Sequence, residues 1–176
     1  MSIVRAEAGA HVLAVRLLNE LAFGRPNEAM LVDALRAAAR PHVSLVAVEH
    51  DASGNTEIVG HIFFSPVSIE TDESVSQPLA MGLGPMAVLP QHQNRGVGSQ
   101  LVREGLRACG RLGCGAVVVL GHPAYYPRFG FVPASRMGLR CEYAVPDEVF
   151  MATELSPGAL GGMRGLVKYH PAFSEV

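Results

Sequence analysis

Residues Leu83 to Leu101, LGPMAVLPQHQNRGVGSQL, hold three structural signals in a row. Met86, Ala87, Val88 and Leu89 form a short apolar run closed by Pro90. Such a run reads as a buried strand that stops where proline removes a backbone donor. Gln91 to Arg95 contains no apolar residue and reads as a loop. From Gly96 the apolar positions Val97, Leu101, Val102, Leu106 and Cys109 recur at helical spacing. The first N–H groups of a helix have no intrahelical partner, and the helix dipole is positive there. Gly96 and Gly98 carry no Cβ, so a phosphate could come close to those groups. The same glycines also suit a plain turn with close helix packing. No Gly-Lys-Ser/Thr follows, which excludes a Walker-type loop. Leu101 holds the place of a third glycine, so the dinucleotide fingerprint is incomplete.

Composition bounds the rest. The chain has 176 residues, 49% of them hydrophobic and 17% charged, with a net charge of −2. This describes one globular domain with a sizeable core, and no basic surface built for nucleic acid. MSIVRAEAG at the start lacks the apolar core of a signal peptide, and no stretch has the length of a membrane helix. Cys109, Cys114 and Cys141 are odd in number and show no C-x-x-C spacing. They read as reduced thiols in a cytoplasmic protein. No His/Cys set has metal-ligand spacing, so no metal is expected.

Outward from the central stretch, Ile3 to Glu7 alternates as a first strand. His11 to Phe23 is an amphipathic helix broken at Gly24. A second helix follows, with Asn27 as its expected N-cap and Glu28 in its first turn. Val43 to Glu49 and Glu57 to Ile69 are strands around the turn residues Asp51 to Asn55. Asp72 to Gln77 is a polar loop. Pro78 to Leu89 contains Gly82, Gly84 and Pro85, which mark a bulge or a splayed edge. The central helix runs from Gly96 to about Leu112, with Gly113 as its cap. Gly105 and Gly110 inside it each cost roughly 1 kcal/mol relative to alanine, with no reason visible in the sequence. Ala116 to Leu120 is a continuous β-branched run and reads as a buried strand. Weaker strand signals follow at Gly130 to Val132, Leu139 to Val145, Val149 to Leu155 and Leu166 to Tyr169.

The order Gln93-x-x-Gly96-x-Gly98, between an apolar strand and an amphipathic helix, resembles the acyl-coenzyme A signature of the GNAT superfamily of N-acetyltransferases. Some thirty residues on, Tyr126-Pro127-Arg128-Phe129-Gly130-Phe131 resembles the Y-x-x-x-G-F segment of the same superfamily. The resemblance covers Ile3 to Val132 well, and residues 133–176 of the single domain more loosely. It implies an α/β fold, a mixed twisted sheet of about six to seven strands flanked by helices. It implies acetyl-coenzyme A as co-substrate, no metal, and a primary amine on a small molecule or peptide as acceptor. No nucleic acid or membrane partner is implied, and a homodimer is left open. The helical pair would wall the acceptor site.

The site residues follow from the same resemblance. Met86, Ala87, Val88, Gln93, Asn94, Arg95, Gly96, Val97, Gly98 and Ser99 would contact the cofactor. Its phosphates would lie on the N–H groups of Arg95 to Ser99, and its pantetheine arm between diverging fourth and fifth strands. A backbone N–H near Val88 would meet the developing oxyanion, and Tyr126 would give a proton to the leaving thiolate. Tyr125 is a rival for that role, and either ring suits packing against Phe129 and Phe131. No general base is assigned. Glu70, Asp72, Glu73, Asp147, Glu148, Glu154, His61 and His122 are the choices. A non-catalytic acyl-coenzyme A sensor, or a nucleotide-binding α/β protein, would share much of this pattern.

Overall fold

The computed structural model describes residues 1–73 and 76–176. The expected loop over Asp72 to Gln77 therefore lies partly outside the described residues. In chain order the elements are β1 (Ile3–Ala6), α1 (Val12–Phe23), α2 (Asn27–Ala38), β2 (Val43–His50), β3 (Thr56–Glu70) and β4 (Ala80–Val88). Then come α3 (Val97–Arg111), β5 (Ala116–Leu120), β6 (Val132–Pro133), β7 (Leu139–Cys141), β8 (Phe150–Glu154) and β9 (Gly165–Lys168). The strands hydrogen-bond in the order β1-β2-β3-β4-β5-β8-β6, while β9 joins the far end of β3 to β7. Pairing is antiparallel except for β4–β5 and β7–β9. Nine strands thus form among the described residues, against an expectation of six to seven. The surplus is in short pieces: β6 has two residues and β7 three, too few to show a period.

Both faces of the sheet are covered. On one face Leu45, Ala47, Ile62 and Phe64 pack under Val97, Leu101, Val102 and Cys109 of α3. On the other, α1 and α2 cover Val46, Val48 and Phe63. The β7–β9 segment covers Ala80, Ala116, Val118 and Ala152 on that second face. Burying an aliphatic side chain this way is worth about 1.5–3 kcal/mol.

Two glycines that looked out of place have packing partners far away in sequence. A Cβ on Gly105 would lie 2.3 Å from the Phe64 ring, so α3 can close on β3 only there. A Cβ on Gly82 would lie 2.7 Å from the ring of Tyr169. One expectation at a helix start is corrected. Asn27 is the first residue of α2, Pro26 holds the cap position, and among the described residues no side chain caps the helix. Glu28 does sit in the first turn, where it pairs with Arg25. Gly113 follows α3 with φ +81°, the left-handed position expected of it.

Candidate functional site

β4 and β5 part company half-way along β4. Their ladder ends at Leu83–Val119, while β4 stays paired to β3 as far as Val88. Among the described residues, the edge of β4 from Gly84 to Val88 that faces β5 therefore has no partner strand. The register with β3 also shifts between Ile62 and Phe64, opposite Gly84 and Pro85. Leu89 N–H bonds to Val59 of β3 at 2.9 Å. Successive residues of a strand point their N–H groups to opposite sides, so Val88 and Met86 aim theirs into the gap.

The loop after β4 holds itself in shape. The Gln93 side-chain amide donates to the Val88 carbonyl at 3.0 Å, tying the loop back to the strand end. Asn94 (φ 60°) and Gly96 (φ 86°) are left-handed, which asparagine and glycine tolerate best. Among the described residues, no well-formed hydrogen bond takes up the N–H groups from Asn94 to Ser99. Together with the positive end of the α3 dipole, they form a site suited to an anion. Arg95 is exposed beside them.

A groove runs along this loop into the gap. Met86, Val88, Gln93, Asn94, Gly96, Gly98, Ser99, His122, Tyr125, Tyr126 and Arg128 line it. The expected cofactor residues thus divide. Met86, Val88, Gln93, Asn94, Gly96, Gly98 and Ser99 line the groove. The Ala87 side chain turns to the opposite face, against Leu18 of α1. Val97 is buried under α3, so it can offer only backbone.

The two tyrosines occupy different places. Tyr125 is half-buried, its hydroxyl 3.4 Å from Ser99 Oγ at the start of α3. The Arg128 guanidinium lies 4.5 Å over its ring and donates to its carbonyl oxygen at 2.9 Å. Tyr126 is buried, edge-on to Phe131 at 5.6 Å between ring centres. Its ring rests on Gly121, the residue just after β5. Burial pushes the Tyr126 phenol up to about 12, so it stays protonated at neutral pH.

Of the bases weighed, His122 lines the groove. Glu154 is held by the Leu160 N–H, and Glu70 lies at the far end of β3, paired to Lys168. His61 is fully buried, and burial pushes it down to about 4. Its Nε2 lies 2.8 Å from Ser44 Oγ, which also bonds Glu7. Burial alone would raise the Glu7 carboxyl, but hydrogen bonds from Arg36 and Ser44 outweigh it and hold the group low. The described residues contain no group of three His, Cys, Asp or Glu side chains placed to hold a metal. No helix among them is long and apolar enough to cross a membrane.

A family model described as an acetyltransferase (GNAT) domain matches residues 41–133. The uncharacterized N-acetyltransferase YhbS of Escherichia coli K12 is 33% identical over 173 residues, 98% of this chain and 99% of that protein. The chain belongs to the GNAT acetyltransferase family. A second E. coli relative, the uncharacterized N-acetyltransferase YjhQ, is 39% identical over 137 residues, 76% of this chain and 72% of its own. The crystal structure of YhbS in complex with CoA superposes with a TM-score of 0.85 at 34% identity, covering 98% of this chain and 92% of that one. A GNAT acetyltransferase from Brucella melitensis in complex with acetyl-CoA gives 0.75 at 35% identity, covering 98% of each chain. The GNAT resemblance carried by the central stretch is therefore borne out.

Proposed function

We propose that this GNAT protein transfers an acetyl group from acetyl-coenzyme A to a primary amine by direct attack on the thioester. The observation that carries the reading is continuity: the open edge of β4 runs straight into the row of unpaired N–H groups at the start of α3. A phosphate-bearing ligand with a long polar arm fits that arrangement. The pyrophosphate would take the N–H groups of Arg95 to Ser99, and the arm would pair with the backbone of Met86 to Val88 as a strand would. The CoA and acetyl-CoA complexes of the two structural relatives support the choice of ligand.

Each group then has one task. The gap holds the thioester carbonyl against an incoming neutral amine, which replaces a bimolecular encounter by positioning. The Val88 N–H donates to the carbonyl oxygen as it gains charge. The amine nitrogen bonds to the carbonyl carbon, the carbon–sulfur bond breaks and the thiolate takes the proton of Tyr126, while the surplus proton on the amine nitrogen leaves to water and the Tyr126 phenolate regains a proton from water. That phenol is suited to the role because burial keeps it protonated. Tyr125 serves differently, as a wall at the phosphate end of the groove. A non-catalytic sensor would need the phosphate site but not a buried phenol at the end of β5.

Calorimetry with coenzyme A, followed by thiol release from acetyl-coenzyme A with an amine panel, tests this. Binding with amine-dependent thiol release is expected. Binding with no release for any amine would leave the sensor reading in its place.

A further inference from the structure

Two carboxylates on adjacent strands meet beside the loop that follows β4. Glu49 of β2 stands directly opposite Glu57 of β3, and like charges in that relation repel. His92, the residue before Gln93, puts its ring between them. Its Nδ1 lies 3.2 Å from a Glu49 carboxylate oxygen and its Nε2 3.7 Å from one of Glu57. The imidazole is only 12% exposed, against 26% for the Glu49 side chain and 59% for that of Glu57. Nδ1 is enclosed and makes no well-formed hydrogen bond among the described residues, so its contact with Glu49 is one of charge rather than of a directed bond. A neutral imidazole carries a proton on one nitrogen only and would turn the lone pair of the other toward a carboxylate. An imidazolium carries a proton on both. Among the described residues no other carboxylate comes within ion-pair distance of the ring. His50, next to Glu49, is turned to the Thr56 hydroxyl, and Arg95, the nearest cation along the loop, is exposed.

We propose that His92 is a positioning residue for the cofactor: as an imidazolium it fastens the pyrophosphate loop to the β2–β3 hairpin, so that its proton helps coenzyme A to bind. This rests on the acyltransferase reading above. His92 does not line the groove, so it acts through its neighbour. Gln93 follows it directly, lines the groove and bonds the Val88 carbonyl. The backbone between them is one tight turn, in which the His92 N–H donates to the Leu89 carbonyl at 2.8 Å and the Gln93 N–H to that of Pro90 at 3.3 Å. A shift of the ring therefore moves Gln93. With the ring neutral, one carboxylate faces a lone pair, the two carboxylates repel undamped, and the loop is held less firmly. The proton also sets a positive charge against two negative ones, a few residues from where the phosphates are placed, and so makes the field there kinder to an anion. The coupling is reciprocal: a proton that favours the cofactor must itself be favoured by the cofactor.

Calorimetry of coenzyme A binding from a pH of about 6 to about 8.5, either side of the usual histidine range, tests this on wild type, His92→Gln and Glu57→Gln. Ionisation of the cofactor's own phosphates is common to all three, so the comparison isolates the protein. Wild-type affinity should fall with rising pH about two- to fivefold further than that of His92→Gln, the reach of partly exposed ion pairs. Glu57→Gln, a surface change that leaves the core alone, should fall less than wild type, and it carries the comparison if His92→Gln folds poorly. Titrations in buffers of different ionisation heat should show more proton uptake on binding by wild type than by His92→Gln. A ring that merely packs would lower affinity in the variants by the same factor at every pH. Equal pH dependence in wild type and both variants therefore overturns the assignment. A wild type that binds no coenzyme A at any pH overturns the acyltransferase reading itself.

Discussion

Tyr126 rests on Gly121: a Cβ added there would lie 2.2 Å from Tyr126 Cε2. The bare backbone at the end of β5 therefore sets where the phenol sits. Gly121→Ala should displace the ring and slow acetyl transfer while leaving coenzyme A affinity nearly unchanged, because the phosphate loop is elsewhere. Steady-state kinetics beside calorimetry checks this. Equal turnover in the variant would mean that the ring's position is immaterial.

Gly105 and Gly110 lie in the same helix and should respond oppositely to alanine. At Gly105 the new Cβ would overlap the Phe64 ring at 2.3 Å. The cost of overpacking, about 1–3 kcal/mol, should outweigh the gain in helix propensity. At Gly110 nothing lies within 4 Å, so alanine should stabilise by up to about 1 kcal/mol. Chemical denaturation of the two variants decides it, and the same sign at both positions would contradict the packing argument.

The pair also shows what the sequence could and could not reveal. The Gly96-x-Gly98 loop, the β4 break at Gly84-Pro85 and the β5 run were legible because each signal is local. The reasons for Gly105 and Gly82 were not, since Phe64 and Tyr169 are distant in sequence and only the fold brings them near. The role of Gln93 was half legible. Its place in the motif was plain, but its bond to Val88 needs the turn to be seen. Likewise the sequence could name Tyr125 and Tyr126, but not place one at Ser99 and the other on Gly121.

Stability should fall on the acid side through His61. In the folded protein burial lowers its pKa to about 4, whereas an unfolded histidine titrates near 6.5. Between those values the unfolded chain binds a proton that the folded chain does not. Stability therefore drops as pH falls from about 6.5 toward 4, by up to about 3 kcal/mol. Glu7, whose pKa is lowered in the fold, adds to the loss in the same direction as it is protonated. Denaturation across this window should give a clearly shallower slope for His61→Gln than for wild type. Identical slopes would remove His61 from the account.

Gly98→Val should abolish measurable coenzyme A binding with little loss of fold. The Cβ alone would come to 3.1 Å from the Tyr125 hydroxyl, and the methyl groups would stand in the groove where the phosphates are placed. Calorimetry on the folded variant is the check, and wild-type affinity would move the phosphates off this loop.

A crystal structure of the protein with bound coenzyme A tests the central claim most directly, since it needs no acceptor. The expected result has the pyrophosphate on the N–H groups of Arg95 to Ser99, the pantetheine arm along the open edge of β4, and the sulfur within hydrogen-bond reach of the Tyr126 hydroxyl. A pyrophosphate bound away from the start of α3, or a sulfur beside Tyr125 and out of reach of Tyr126, would contradict it.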